Sequence, residues 1–143
     1  MMLRVVLDTN IYVSKVLIPS GLPAQAYRAW QDAQFELLTS PAILHELRNT
    51  LGYERIRRKY HITDGIVDEL IGLLERHATV VVGTADVTGA IPADPSDEIV
   101  LACAVDGQAD LIVSGDQHLL ALASYHGIPI IPVRAFLARL ALT

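Results

Sequence analysis

The chain has 143 residues, of which 52% are hydrophobic and 19% are charged, so the composition excludes a disordered chain and fits one domain over residues 1–143. Cys103 is the single cysteine, which excludes an internal disulfide and favours a reducing compartment. The formal net charge of −5 argues, taken alone, against a nucleic-acid partner. Neither a membrane-length apolar stretch nor a leader before Leu3 is recognised, so we expect a cytoplasmic protein without a membrane segment.

Short apolar runs alternate along the chain with amphipathic segments. The runs predicted as strands are residues 3–7, 35–39, 79–82, 111–113 and 128–131. The segments predicted as helices are residues 23–33, 41–51, 63–77, 94–105, 116–125 and 133–142, with a short basic helix or loop at 53–60 and a loop at 83–93. This alternation predicts an α/β domain with a mainly parallel, five-stranded central sheet flanked by helices.

Three of these helices carry start signals. Ser40 is predicted as an N-cap with Pro41 at the first helical position, and Thr63 is predicted to cap the helix that follows it. Asp94 is predicted as a third N-cap, with Pro95 at the first position of its helix.

Acidic residues follow two of the predicted strands. Asp8 comes directly after the first strand and Asp116 closely follows the fourth, while Asp97 lies in the first turn of the helix opened at Asp94. In an open parallel sheet, ligands bind beyond the carboxyl ends of the strands. These acids are therefore expected to converge although they are distant in sequence.

Several carboxylates in one cleft repel one another and would be partly protonated without a counterion. Mg²⁺ and Mn²⁺ prefer oxygen ligands, and such ions can stabilise charge on a phosphodiester as it is attacked by water. An acidic cluster at strand ends therefore suggests metal-dependent phosphoryl chemistry.

Each acid also has a purely structural interpretation. Asp8 can be a turn residue, Asp97 the third-position acid of a capping box, and Asp116 an ordinary N-cap. Glu46 on a helix is ordinarily solvated, but it lies too far along its helix to be a cap and stands one position before the apolar Leu47. The functional interpretation depends on the acids as a set.

Four segments, in this order and in this strand–helix context, resemble those of PIN-domain nucleases, and the resemblance covers nearly the whole chain. The segments are residues 5–10 (VVLDTN), 40–47 (SPAILHEL), 94–98 (DPSDE) with 101–104 (LACA), and 110–116 (DLIVSGD).

The resemblance implies a metal site and an activity. It implies Mg²⁺ or Mn²⁺ as cofactor and RNA as the commonest substrate, and it is strongest to the VapC-like ribonucleases of toxin–antitoxin pairs, which are typically inhibited by a partner protein and often dimerise. Many relatives carry Asn in place of Asp116 or an Asp a few positions later, where this chain has His118 and Leu119. The implied catalytic and metal-binding residues are Asp8, Glu46, Asp97 and Asp116, with Thr9, Asn10, Asp94 and Ser114 in support.

A basic segment offers a path for RNA. Its arginine and lysine side chains can neutralise phosphates, and interleaved aromatic rings can stack on unpaired bases. A solvated helix face is the alternative interpretation of such a run. Two divalent ions in the acidic site would add four charges and take the formal net charge from −5 to −1. The candidate RNA-binding residues are Arg48, Arg55, Arg57, Arg58 and Lys59, interleaved with Tyr53, Tyr60 and His61.

The five histidines show no compact metal-binding spacing, although His45 and His118 adjoin proposed site segments, and Cys103 is expected to pack in the core. Two other functions remain open. A phosphoaspartyl enzyme or receiver also places an Asp after its first strand, but Asn10 occupies the position where the dehalogenase-type enzyme needs a second Asp, and no lysine follows Lys59. A non-catalytic binding module is the second, which retention of all four acids disfavours.

Overall fold

A twisted, mainly parallel sheet forms the centre of the computed structural model, which describes residues 2–91, 94 and 97–142. The strand order is β3-β2-β1-β4-β6-β5, with every pairing parallel except that of β5 with β6. The strands of the described residues are β1 (Arg4–Leu7), β2 (Glu36–Thr39), β3 (Thr79–Val80), β4 (Leu111–Val113), β5 (Ser124–Tyr125) and β6 (Ile128–Ile131).

The central strand β1 is covered on both faces. Val5, Val6 and Leu7 are all fully buried, although successive side chains of a strand point to opposite faces. Such two-sided burial explains why the strand is a continuous apolar run and why its neighbours are parallel. The predicted α/β class with flanking helices is therefore confirmed.

The helices flank this sheet, and α6 packs against β1 and β2 while α1 packs against α2 and α3. None of the helices in the described ranges is long and apolar enough to cross a membrane. Cys103 is fully buried in the core, as expected. The helices are α1 (Thr9–Leu17), α2 (Leu22–Gln31), α3 (Pro41–Leu51), α4 (Glu54–Tyr60), α5 (Asp64–His77), α6 (Glu98–Gly107), α7 (Gln117–Leu122) and α8 (Val133–Ala141).

Two of the predicted caps are confirmed. The Ser40 hydroxyl accepts a hydrogen bond from the Ile43 amide at 3.3 Å, and Pro41 is the first residue of α3. The Thr63 hydroxyl accepts from the Ile66 amide at 3.2 Å at the start of α5. In both cases the side-chain oxygen satisfies an amide that has no partner within its helix.

The predicted start of α6 is wrong. The helix begins at Glu98, and Asp97, not Asp94, occupies the N-cap position, where its side chain makes no capping hydrogen bond. The Asp97 amide donates to the Asp94 carbonyl at 3.1 Å, so a turn precedes the helix at the point where the first helical turn was expected. Pro95, predicted at the first helical position, lies outside the described residues.

The sheet has a sixth strand in place of the end of a helix, so the predicted number of five was wrong. Helix α7 ends at Leu122 because Ala123 takes a positive φ of 64°, and Ser124–Tyr125 then pairs with β6. His126 and Gly127 both have positive φ, at 50° and 78°, as the two central residues of a tight hairpin require.

Helix α1 was not predicted. Its buried side chains include Ile11, Tyr12 and Val13, which are contiguous and so do not repeat at the three-to-four-residue spacing of an amphipathic helix. Because α1 starts directly after β1, it fixes the direction in which the chain leaves the sheet at Asp8.

Candidate metal centre

The register of the two central strands brings the first and last acids to one edge of the sheet. Leu7 of β1 lies opposite Val113 of β4, and the strands are parallel. The Asp8 amide donates to the Val113 carbonyl at 2.9 Å, which extends the pairing by one residue. Asp8 and Asp116 therefore leave the sheet at the same carboxyl edge, as expected for a ligand site in this class of sheet.

Asp8 is a buried acid held by a serine. Only 3% of its surface is exposed, and its Oδ2 accepts a 2.7 Å hydrogen bond from the Ser114 hydroxyl. The same hydroxyl accepts from the Asp116 amide at 2.9 Å, so Ser114 connects the two acids. Burial raises the pKa of Asp8, the Ser114 hydrogen bond opposes that shift, and the charge of Asp116 adds to it.

Asp97 has the strongest electrostatic perturbation of the acids. Burial, and then the charges of Asp116, Asp8 and Asp94, raise the pKa of Asp97 to about 7. Its Oδ2 is buried and has no hydrogen-bond partner among the described residues. A buried carboxylate oxygen without a partner is unfavourable unless a proton or a cation satisfies it.

Four donor groups form a compact cluster that does not coincide with the predicted ligand set. Donor atoms of Asp94, Asp97, Asp116 and His118 all lie within 4.8 Å of one another. Two of the four, Asp97 and Asp116, were predicted ligands, and Asp94 was predicted only as support. His118 adjoins a proposed site segment but is not among the predicted ligands, because the five histidines show no compact metal-binding spacing.

Glu46 lies beside Asp8 but outside this compact cluster. It is half-buried on α3 and accepts a 3.4 Å hydrogen bond from the Thr9 hydroxyl. Burial raises the pKa of Glu46, with smaller contributions from the charges of Asp8 and Asp94 that the Thr9 hydrogen bond opposes. The structure thus brings all four predicted acids into one electrostatic neighbourhood, while Asn10 is exposed in the first turn of α1.

The donor chemistry fits a hard divalent cation. Carboxylate oxygens dominate the cluster, burial and the charges of neighbouring acids raise the pKa of Asp97 to about 7, and Asp97 Oδ2 lacks a partner within the described ranges. A cation would remove the repulsion and satisfy that oxygen, and Mg²⁺ or Mn²⁺ is the type of ion that such oxygens prefer.

The basic segment is partly neutralised by its own surroundings. Arg48 pairs with Asp68 at 2.8 Å, Arg57 with Asp64 at 2.6 Å, and Arg58 with Glu54 at 2.5 Å. The Lys59 ammonium lies 5.4 Å from the centre of the Tyr60 ring, and Arg55 is exposed. None of the seven residues of α4, all of them described, is buried. These features agree with a solvated surface. They also leave a row of positively charged side chains accessible.

Comparison with known proteins decides the family. Residues 4–118 match the family model of the PIN domain. The chain belongs to the PIN-domain family. PIN domains are generally metal-dependent nucleases, and the acidic cluster is compatible with metal binding.

Individual relatives of this PIN domain are distant. An uncharacterized protein of Methanocaldococcus jannaschii is 25% identical over 121 residues, which cover 84% of this chain and 75% of that protein. The structure of VapBC2 from Rickettsia felis, solved bound to a DNA fragment from its promoter, matches with a TM-score of 0.60 at 13% identity, covering 90% of this chain and 98% of the other. FitAcB from Neisseria gonorrhoeae matches with a TM-score of 0.51 at 17% identity, covering 91% and 98%. At these identities the solved structures establish the shared fold.

The raised pKa of Asp97 predicts that the metal-free PIN domain loses stability as the pH rises. The folded-state pKa of about 7 exceeds the ordinary value of 3.8, so the folded state holds the extra proton between these values. The stability that this proton contributes is fully present below 3.8 and is lost as the pH passes through about 7. We expect Asp97→Asn to gain stability relative to wild type across this window, measured by urea unfolding in chelator.

Asp32→Asn is the control, because Asp32 is exposed at the end of α2 and lies outside the acidic cluster. Mg²⁺ or Mn²⁺ should stabilise the wild type and stabilise Asp97→Asn less, since a ligand bound to the native state adds stability. If the free energy of unfolding varied with pH in the same way for wild type and Asp97→Asn, the loss of stability could not be assigned to Asp97.

Proposed function

We propose that this PIN domain is a divalent-metal-dependent endoribonuclease that hydrolyses RNA phosphodiester bonds. The observation that carries the proposal is Asp97 Oδ2, buried and without a partner in the described part of the chain, amid the other acids at the carboxyl edge of the sheet. Asp8, Glu46, Asp97 and Asp116 are the proposed catalytic and metal-binding residues.

The side chains around the acids hold them in place. Ser114 fixes Asp8 through its 2.7 Å hydrogen bond, and Thr9 orients Glu46. Asp116 Oδ1 accepts from the amides of His118 and Leu119 at 2.8 and 3.1 Å, so one of its carboxylate oxygens is tied to the helix start. Such supported acids hold a ligand geometry with little rearrangement.

A divalent cation at these acids supplies charge neutralisation for an attacked phosphodiester and lowers the pKa of water near it. The acids of the chain would bind the ion, and the raised pKa of Asp97, about 7, keeps the site from carrying its full negative charge before the ion arrives. The exposed side of the cluster, at His118 and the half-buried Asp116, faces the solvent from which a strand would approach.

The two alternative functions find less support. A phosphoaspartyl enzyme needs an acceptor carboxylate that a phosphoryl donor can reach, but Asp8 is 3% exposed and engaged by Ser114. A non-catalytic binding module gives no reason to keep several acids crowded at raised pKa, because such crowding destabilises the fold.

The metal-dependent activity predicts a sharp difference between carboxylate variants. RNA cleavage should require Mg²⁺ or Mn²⁺ and stop with chelator. Metal charge stabilises a phosphoryl transition state by several kcal/mol, and about 1.4 kcal/mol is tenfold in rate, so Asp8→Asn and Asp97→Asn should each lose at least about a hundredfold. Asp32→Asn, prepared identically, should retain the wild-type rate on single-stranded RNA. Equal cleavage by the wild type and all three variants would indicate a contaminating nuclease and would contradict the proposal.

We further propose that the chain is the toxin component of a toxin–antitoxin pair, with a cognate antitoxin protein as partner. The support is the sequence resemblance to VapC-like ribonucleases and the shared fold with VapBC2 and FitAcB. Expression of the wild type should slow growth, and expression of Asp8→Asn should not. Co-expression of the small protein encoded beside it should restore growth. An active enzyme that is harmless at high expression would instead be a stand-alone processing nuclease.

We propose that the basic segment contacts the RNA backbone, and that its ion pairs with neighbouring acids break when the RNA binds. For single strands the slope of log affinity against log salt is about −0.7 per neutralised phosphate, so Arg57→Ala/Arg58→Ala should flatten it by about 1.4. Affinity should fall similarly for unrelated sequences, because phosphate contacts carry no base information. The measurement is RNA binding against salt in an Asp8→Asn background.

Glu54→Gln is the matched variant, because it removes the carboxylate that pairs with Arg58 at 2.5 Å while leaving the arginine in place. RNA affinity should then rise, since the strand no longer competes with Glu54. If neither variant changes the slope, the segment is a solvated surface. If antitoxin binding falls while RNA binding persists, the segment belongs to the protein partner.

A further inference from the structure

His118 places an imidazole in the acidic cluster. A donor nitrogen of its ring lies within 4.8 Å of donor oxygens of Asp94, Asp97 and Asp116. Its Nδ1 is 3.8 Å from Asp116 Oδ1, which is too far for a hydrogen bond. The imidazole is therefore next to the carboxylates without being bonded to that oxygen.

The start of α7 fixes this position. Asp116 caps the helix by accepting the backbone amides of His118 and Leu119, and Leu119 is fully buried in the core. The backbone of His118 is therefore fixed by the Asp116 cap on one side and by buried Leu119 on the other, while 53% of the His118 side chain remains exposed. The ring can adjust its rotamer toward the cluster without disturbing the helix.

The spacing matches what one ion requires. Donor atoms about 2.0 to 2.1 Å from an octahedral ion lie roughly 3 Å apart when adjacent and roughly 4 Å apart when opposite. The 3.8 Å between His118 Nδ1 and Asp116 Oδ1 falls in this interval. The 4.8 Å bound on the whole cluster is slightly wider, as expected for carboxylates that repel one another before a cation draws them in.

An independent observation indicates a ligand at this place. Asp97 is nine-tenths buried, and its Oδ2 has no hydrogen-bond partner within residues 2–91, 94 and 97–142. That oxygen belongs to a side chain of the same cluster as the His118 ring. A buried acceptor left in this state needs a donor or a cation close by.

We propose that His118 is an imidazole ligand of the divalent ion, added to the proposed metal-binding acids on the side of the site formed by Asp94, Asp97 and Asp116, and that the resulting nitrogen–oxygen site selects Mn²⁺ over Mg²⁺. The proposal rests on the metal site of the proposed function. Mg²⁺ takes oxygen ligands, whereas imidazole suits transition ions, whose affinity for such sites rises from Mn²⁺ toward Cu²⁺.

The test is metal binding by the intact chain in the absence of RNA. Mn²⁺ affinity is measured from the loss of the free-ion electron paramagnetic resonance signal, and Mg²⁺ affinity by competition. His118→Ala should weaken Mn²⁺ binding at least about tenfold, because even groups that only support a ligand change metal affinity about 10- to 100-fold. Mg²⁺ binding should change far less, so the preference for Mn²⁺ should shrink.

Two variants make the result specific. His77→Ala is the matched control, since His77 is exposed in the last turn of α5, beside Glu36 at the opposite edge of the sheet. Asp97→Asn is the positive control and should weaken both ions. Pulsed resonance of bound Mn²⁺ should show coupling to an imidazole nitrogen in wild type and His77→Ala, and none in His118→Ala.

The outcomes separate this inference from the proposed function. Undiminished Mn²⁺ binding by His118→Ala, or a persisting nitrogen coupling, overturns the role of His118 while leaving an acidic metal site intact. Failure of the wild type to bind either ion overturns the metal site and the inference together. His118→Gln, which keeps the length and polarity of the side chain, should behave like His118→Ala, because loss of the nitrogen ligand is the cause.

Discussion

The crowding of carboxylates at one edge of the sheet is the constraint on which the rest of this structure depends. Parallel pairing of β1 with β4 brings Asp8 and Asp116 out side by side, and the turn before α6 adds Asp97. Burial raises the pKa of Asp8 and of Asp97, and the charges of neighbouring acids add to both shifts. The hydrophobic sheet beneath must therefore supply enough stability to hold together groups that repel one another.

The surrounding polar groups offset the repulsion between the acids unevenly. Ser114 donates to Asp8, and the start of α7 satisfies one oxygen of Asp116, so both acids have protein partners. Asp97 Oδ2 has none in the described chain, and the pKa of Asp97 is raised to about 7. The unfavourable energy is thus concentrated on one oxygen, the position at which a bound cation gains most. A site arranged in this way is stabilised by its ligand instead of by its own contacts.

Sequence reasoning found the parts of this arrangement that local patterns encode. Asp8 and Asp116 follow strands that are apolar runs buried on both faces, and Ser40 and Thr63 are recognisable N-caps of the helices that they precede. Helix α1 was missed by the sequence analysis because its buried residues are contiguous. The β5–β6 hairpin was missed because it needs positive φ at His126, a residue that gives no turn signal. His118 was missed for a further reason, since the sequence does not reveal that the start of α7 lies close to Asp94 and Asp97, which precede α6.

Charge links the metal site to the choice of substrate. The chain carries a net charge of −5, and three of its basic-segment arginines pair with acids of its own surface. An acidic cluster without a cation repels a phosphate that approaches it, so the basic segment alone must then attract the strand. A divalent ion in the cluster cancels two of these negative charges at the place where a phosphodiester would lie. Metal and RNA must then strengthen each other's binding by the same factor, because coupling between two ligands is reciprocal. On the proposed assignment, this acidic protein selects a polyanion through the cation it holds, and the identity of that cation, set by the carboxylates and by His118, becomes part of how the strand is recognised.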